Sequence, residues 1–131
     1  MVASPANPVL AQAFGGVVMA SDTASGAVSY DDQGRRFVFV PGPGDTSRYA
    51  LDIEPVSGQM SDAVMKNLGA RSQEQGFKAW TVLEVQAKLW SVPVLALLRA
   101  PQQDGGGIEL TRCDTNDYWI VVGKHIQSRE C

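Results

Sequence analysis

Histidine is almost missing from this chain of 131 residues: His125 stands alone. One histidine excludes multi-histidine metal sites. Cysteine is nearly as scarce, with Cys113 and Cys131 only. They form neither the CxxC of a redox motif nor the paired Cys/His spacing of a zinc site. Two unpatterned cysteines in a chain of this size point to free thiols and a reducing compartment. Clustered positive charge is also lacking. The formal net charge is −3, and Arg35-Arg36 is the one adjacent basic pair. A broad nucleic-acid surface needs clustered Lys and Arg, so that class is excluded. No apolar run reaches membrane-spanning length; the longest, Val92–Leu98, has the size of a strand. Ala11-Gln12-Ala13 mimics a signal-peptidase site without a basic n-region or an apolar stretch before it. The expectation is a soluble, cytoplasmic protein that needs no cofactor and no metal, and works without nucleic acid or membrane.

What is present is β-hairpin chemistry, twice. The first signature is Gly26–Tyr30, the turn Asp31-Asp32-Gln33-Gly34, and Arg35–Val40. The second is Ile108–Cys113, the turn Asp114-Thr115-Asn116-Asp117, and Tyr118–Lys124. Both join β-rich runs through residues that tolerate unusual backbone angles. Phe37 and Phe39 alternate with Val38 and Val40, apolar on both faces, which predicts a central or doubly covered strand. Val17–Ala20 reads as a short strand. Arg48–Ile53 alternates cleanly, with Tyr49, Leu51 and Ile53 on one face and Arg48, Ala50 and Asp52 on the other. That alternation predicts one buried and one wet face.

Helix signals fall in three places. Residues 1–6 read as a frayed tail. Asn7-Pro8 then offers an N-cap and a first-turn proline, with Val9, Leu10, Ala13 and Phe14 on one face and Gly15-Gly16 as the stop. Ser61 can cap a second helix carrying Met60, Val64 and Leu68, weakened at Gly69 and ended at Gly76. Phe77–Trp90 mixes a capping box at Thr81-Val82-Leu83-Glu84 with β-prone residues; we read it as helix. Pro93 then follows its end, Val94–Leu98 reads as a buried strand, and Pro101–Gly107 as a flexible turn.

Several groupings invite a chemical reading. Pro41-Gly42-Pro43-Gly44-Asp45-Thr46-Ser47 looks like a phosphate loop, but it has no lysine and precedes a strand rather than a helix, so it reads as a rigid inter-strand loop. Asp52 and Glu54 lie two apart on one strand face, where paired carboxylates can do acid–base work or stand in solvent. Solvent exposure is the expectation here. His125 with Cys113 and Asp114 or Asp117 permits a Cys–His–Asp arrangement, yet hairpin pairing places His125 far from the turn. The hydroxyls of Ser21, Thr23, Ser25 and Ser29 lack a Gly-x-Ser-x-Gly elbow. Trp80, Trp90 and Trp119 read as core or rim anchors. Tyr118 and Trp119 alternate on the final hairpin, so one of them is expected to face outward and bind a partner.

These features predict a single α+β domain over residues 1–131. It has a mostly antiparallel sheet of about 5–7 strands with two helical segments packed on one face, or a barrel or roll if Phe77–Trp90 is strand. The expected function is a non-catalytic protein-binding module whose partner is another protein, a homodimer being allowed. Immunity proteins, secretion chaperones and phage- or plasmid-borne inhibitors from bacteria share its bulk properties, an analogy of composition alone. The alternative is a small enzyme or ligand-binding domain with a pocket that uses Asp52, Glu54 or His125.

Overall fold

The computed structural model describes residues 9–99 and 107–126. The first element there is a strand where the sequence suggested a helix. β1 (Val9–Ala13) pairs antiparallel with β2 (Gly16–Ala20), Ala13 opposite Gly16. Phe14 and Gly15 form the connection, with φ of 52° and 75°. Positive φ at both positions is the signature of a two-residue hairpin turn of the type I′ class. Gly15-Gly16 therefore reverses the chain rather than ending a helix. Gly16, the first residue of β2, is required on steric grounds: a Cβ there would lie 2.4 Å from Val40 O. The proposed cap Asn7-Pro8 lies outside the described residues.

β3 (Ala27–Tyr30) and β4 (Arg36–Val40) form the first expected hairpin, Tyr30 opposite Arg36. β4 is central in a sheet of order β1-β2-β4-β3, and Phe37, Val38 and Phe39 are fully buried. β5 (Tyr49–Pro55), β6 (Ile108–Arg112) and β7 (Tyr118–His125) make a second antiparallel sheet of order β5-β7-β6. The seven strands are thus divided between two sheets instead of forming one. Val18, Phe37 and Phe39 of the first sheet interdigitate with Leu51, Ile53, Ile120 and Val122 of the second. Each such side chain stabilises the fold by roughly 1.5–3 kcal/mol on burial. At one corner β3 runs beside β5, and Ile53 N–H donates to Ser29 Oγ at 3.3 Å.

Three helices lie outside the second sheet, the long one against it and the two short ones against the long one. α1 (Asp62–Leu68) is capped by Ser61, whose Oγ accepts from Val64 N. It ends at Gly69, which takes φ of 69°. Gly69 is therefore the terminator, not a weak point in mid-helix. Gly76, expected as the stop, instead lies buried in the first turn of α2 (Gln73–Trp90), against Met60 and Met65. Ser72 caps α2. Thr81 sits inside it and donates to Phe77 O at 2.8 Å, so it is no N-cap. Residues 94–99 form α3 (Val94–Arg99) rather than a strand, buried only at Leu97. An apolar run of that length fits strand and buried helix equally well. Pro93 supplies a helix start, with Ala96 N–H donating to Pro93 O. Among the described residues no helix is long and apolar enough to cross a membrane.

Candidate functional site

The alternation in β5 is as the sequence indicates, yet its second face is not wet. Tyr49, Leu51 and Ile53 point between the sheets, so Ala50, Asp52 and Glu54 point away from them, and α2 lies over that face. Asp52 is 4% exposed and Glu54 is half-buried. The expectation of an exposed carboxylate pair fails because a helix, invisible in the strand's own pattern, packs on top of it.

α2 brings Trp80, Glu84 and Lys88, one turn apart, over this pair. Lys88 Nζ donates to Leu51 O at 2.6 Å. Burial drives the Asp52 carboxyl well above its ordinary range; Glu54 and Glu84 push the same way and Lys88 opposes them. Burial and Glu84 likewise raise Glu54, against Asp52, Lys88 and the Trp80 indole. Glu84 is raised by burial and lowered by Lys88. Among the described residues Asp52 Oδ2 has no hydrogen-bond partner, and neither does the buried Trp119 Nε1. The three carboxyls, each raised above its ordinary range, thus cluster under α2, with Asp52 the most buried. A protonated buried carboxyl beside an ionised one is the arrangement of a general acid. A substrate would have to reach it, and none of the three cavities described below is lined by these residues.

His125 lies elsewhere. Its Nε2–H donates to Leu89 O at 2.8 Å, while the Arg48 guanidinium donates to Lys88 O at 3.1 Å and to Ser91 Oγ at 3.2 Å. Both side chains therefore satisfy the end of α2, where carbonyls lack intrahelical partners. His125 is opposite Ile108 in the β6–β7 ladder, whereas Cys113 N–H donates to Ile120 O at the other end. No Cys–His–Asp arrangement is assembled. Cys113 is a free thiol that burial pushes up to about 11, far from a reactive thiolate. Cys131 lies outside the described residues.

Tyr118 and Trp119 point to opposite faces of β7, as expected, but β7 is the middle strand of its sheet and both faces are covered. Tyr118 packs edge-on against Phe37, with ring centroids 5.2 Å apart, and its hydroxyl donates to Asp31 Oδ2 at 3.2 Å. Trp119 lies on the α2 side with Lys78 Nζ 5.8 Å from its ring centroid. Both are half-buried, and Tyr118 also lines the concavity at the end of the two-sheet layer; the most exposed aromatic among the described residues is Tyr30, 59% exposed.

The described residues also form surface concavities, of which three bear on function. One, of about 570 Å³, lies at the end of the two-sheet layer between the turns carrying Asp31, Asp32, Arg35, Ser57 and Asp117. Its deepest carboxylate, Asp31, is already satisfied by Gln33 N–H, Arg35 N–H and the Tyr118 hydroxyl. A second, of about 390 Å³, follows the β1–β2 turn. The third, of about 340 Å³, lies among the helices and is lined by Asn67, Leu68, Ala79, Val82, Leu83 and Leu98. It exists because α2 is apolar on two sides. Val85 and Leu89 are buried against the sheet with Val82 packed beside them, while Ala79 and Leu83, with Val82 at the edge, line the side towards α1 and α3. The sequence held this signal: a helix apolar on both sides needs cover on both. Reading 77–90 for its type alone missed it. Searches for similarity among family models, curated proteins and solved structures gave no match.

Proposed function

We propose that this chain is a non-catalytic protein-binding module of the inhibitor, immunity or adaptor kind, and that it receives its partner in the apolar groove of the helical layer. The groove carries this reading. It presents Leu68, Val82, Leu83 and Leu98 half-buried around one concavity, with Leu95 of α3 57% exposed beside them. Apolar grooves between helices accept apolar anchors from a partner helix. Tyr118 and Trp119 then act indirectly, seating β7 against the first sheet and under α2.

A second reading, a small enzyme or ligand-binding domain, draws on Asp52, which keeps an unpartnered carboxyl oxygen in a desolvated setting. One comparison separates the two. Partner capture from source-cell extract is compared for the wild-type protein, Leu83→Asp and Asp52→Asn, each shown to be folded by circular dichroism. The binding reading requires capture by wild type and Asp52→Asn and its loss with Leu83→Asp. Capture that survives Leu83→Asp and disappears with Asp52→Asn overturns it in favour of the second.

A further inference from the structure

We propose that a second copy of this chain pairs along the open edge of β1, so that the first sheet continues antiparallel across a two-fold axis. The surface lies on the first sheet, away from the helical layer, and the proposal does not rest on the groove. Four strands end a sheet: β1 and β3 in the first, β5 and β6 in the second. β3 and β5 shield each other, with Ile53 N–H donating to Ser29 Oγ. Among the described residues no strand pairs with the outer edge of β1 or of β6. An open edge is a template for another strand, and monomers guard it with lysine, other charges or proline. β6 carries such guards in Glu109, which is exposed, and Arg112, which binds Asp114. In β1, Val9, Leu10, Ala11, Gln12 and Ala13 include none.

The backbone of Gln12 faces this edge. Ala13 and Gly16 flank a two-residue turn, and such a pair exchanges its ladder bonds, so Gln12 turns its N–H and C=O outward. A two-fold axis at Gln12 lets the two copies exchange these groups. The register irregularity between Val9 and Ala11 keeps the new ladder short, so side chains must contribute. Val18, Phe37 and Phe39 point into the core, which puts Val9, Gln12, Val17 and Met19 on the outer face of the sheet. On that face residues 21–26 cross Val38, where a Cβ on Gly26 would lie 3.0 Å from Val38 Cγ2. The Arg36 guanidinium ties this segment down, donating to Ser21 O and Ala24 O at 3.0 Å. The β1–β2 margin stays partly open: Val9 is 51% exposed, and Val17 and Met19 are half-buried. Charge complementarity selects a second copy as the occupant. The chain carries a net charge of −3, which opposes self-association elsewhere. Residues 9–20 carry no charge, the first charged residue being Asp22. Along β1 two acidic molecules therefore meet neutral against neutral and apolar against apolar.

The test is sedimentation of the full chain from about 10 µM to about 1 mM, the range of weak self-association. The wild-type protein should pass from monomer to dimer. As it does, the Gln12 amide should exchange more slowly with solvent, read by NMR. Gln12→Pro removes the outward N–H, and Val9→Lys brings a charge to the edge; each should weaken dimerisation about tenfold or more. Val9→Lys changes an exposed side chain, and it decides the question alone if circular dichroism shows Gln12→Pro unfolded. Leu83→Asp, in the helical groove, should leave the dimer intact. A monomer at every concentration overturns the proposal, as does a dimer that survives Val9→Lys and folded Gln12→Pro. A dimer lost with Leu83→Asp and kept by Val9→Lys overturns it in favour of the groove as the self-association surface.

Discussion

Asp52 has the most consequential surroundings of any single residue here. Folding takes its carboxyl out of water and sets it beside Glu54 and Glu84, so its pKa is higher in the native state than in the unfolded chain. The native state then binds more protons than the unfolded one above the ordinary carboxylate range, and stability falls as pH rises through that window. Each unit by which the native pKa is raised corresponds to about 1.4 kcal/mol. Asp52→Asn removes this dependence. Urea unfolding midpoints from about pH 5 to about pH 9 should decline for the wild-type protein and stay flatter for the variant. Parallel curves would show that Asp52 ionises freely in the native state. Cys113 gives a second residue-scale check. A half-buried thiol near 11 is almost wholly protonated at neutral pH, so peptide-level mass spectrometry should find it alkylated far more slowly in native than in denatured protein. Equal rates would contradict the burial.

Among the elements, legibility followed how local the determining signal is. The two long hairpins were legible because their turn residues and flanking alternation sit within a dozen positions. The β1–β2 hairpin was missed because Phe14-Gly15 lacks the Asn-Gly or Asp-Gly signature and Val9–Phe14 fits a helical face equally well. α3 was read as a strand because the five apolar residues Val94–Leu98 carry no decisive period. The same limit hid the site: nothing in Tyr49–Ile53 shows that α2 will cover the Asp52 face, since that contact is made by residues thirty or more positions away. Gly123 marks how tightly the helix and sheet close. A Cβ there would lie 2.5 Å from Val85 Cγ1 and 2.9 Å from Leu89 Cδ1. Gly123→Ala should therefore destabilise the fold by about 1–3 kcal/mol through overpacking. A chemical denaturation curve matching wild type would mean that α2 stands off the sheet. His125→Ala should cost roughly 1 kcal/mol by leaving the Leu89 carbonyl unpaired, without changing partner binding. Loss of partner binding in a folded His125→Ala protein would revive the ligand-site reading.

At the scale of the whole molecule, three layers divide the work. The first sheet and the inner face of the second supply the aromatic and aliphatic core. The second sheet is a platform, apolar on both sides at β7 and carrying the Asp52 and Glu54 carboxyls on the outer side of β5. The helical layer is the part that stays incompletely covered, with an apolar groove on a chain of net charge −3. Composition showed the absence of metal-site and redox motifs. The most direct measurement of the central claim is hydrogen exchange of the full chain with and without a bound partner, read peptide by peptide. Protection gained in α1, in the Ala79–Leu83 part of α2 and in α3, with the 31–35 and 114–117 turns unchanged, is the predicted result. Protection confined to those turns, with the helical layer unchanged, would contradict it.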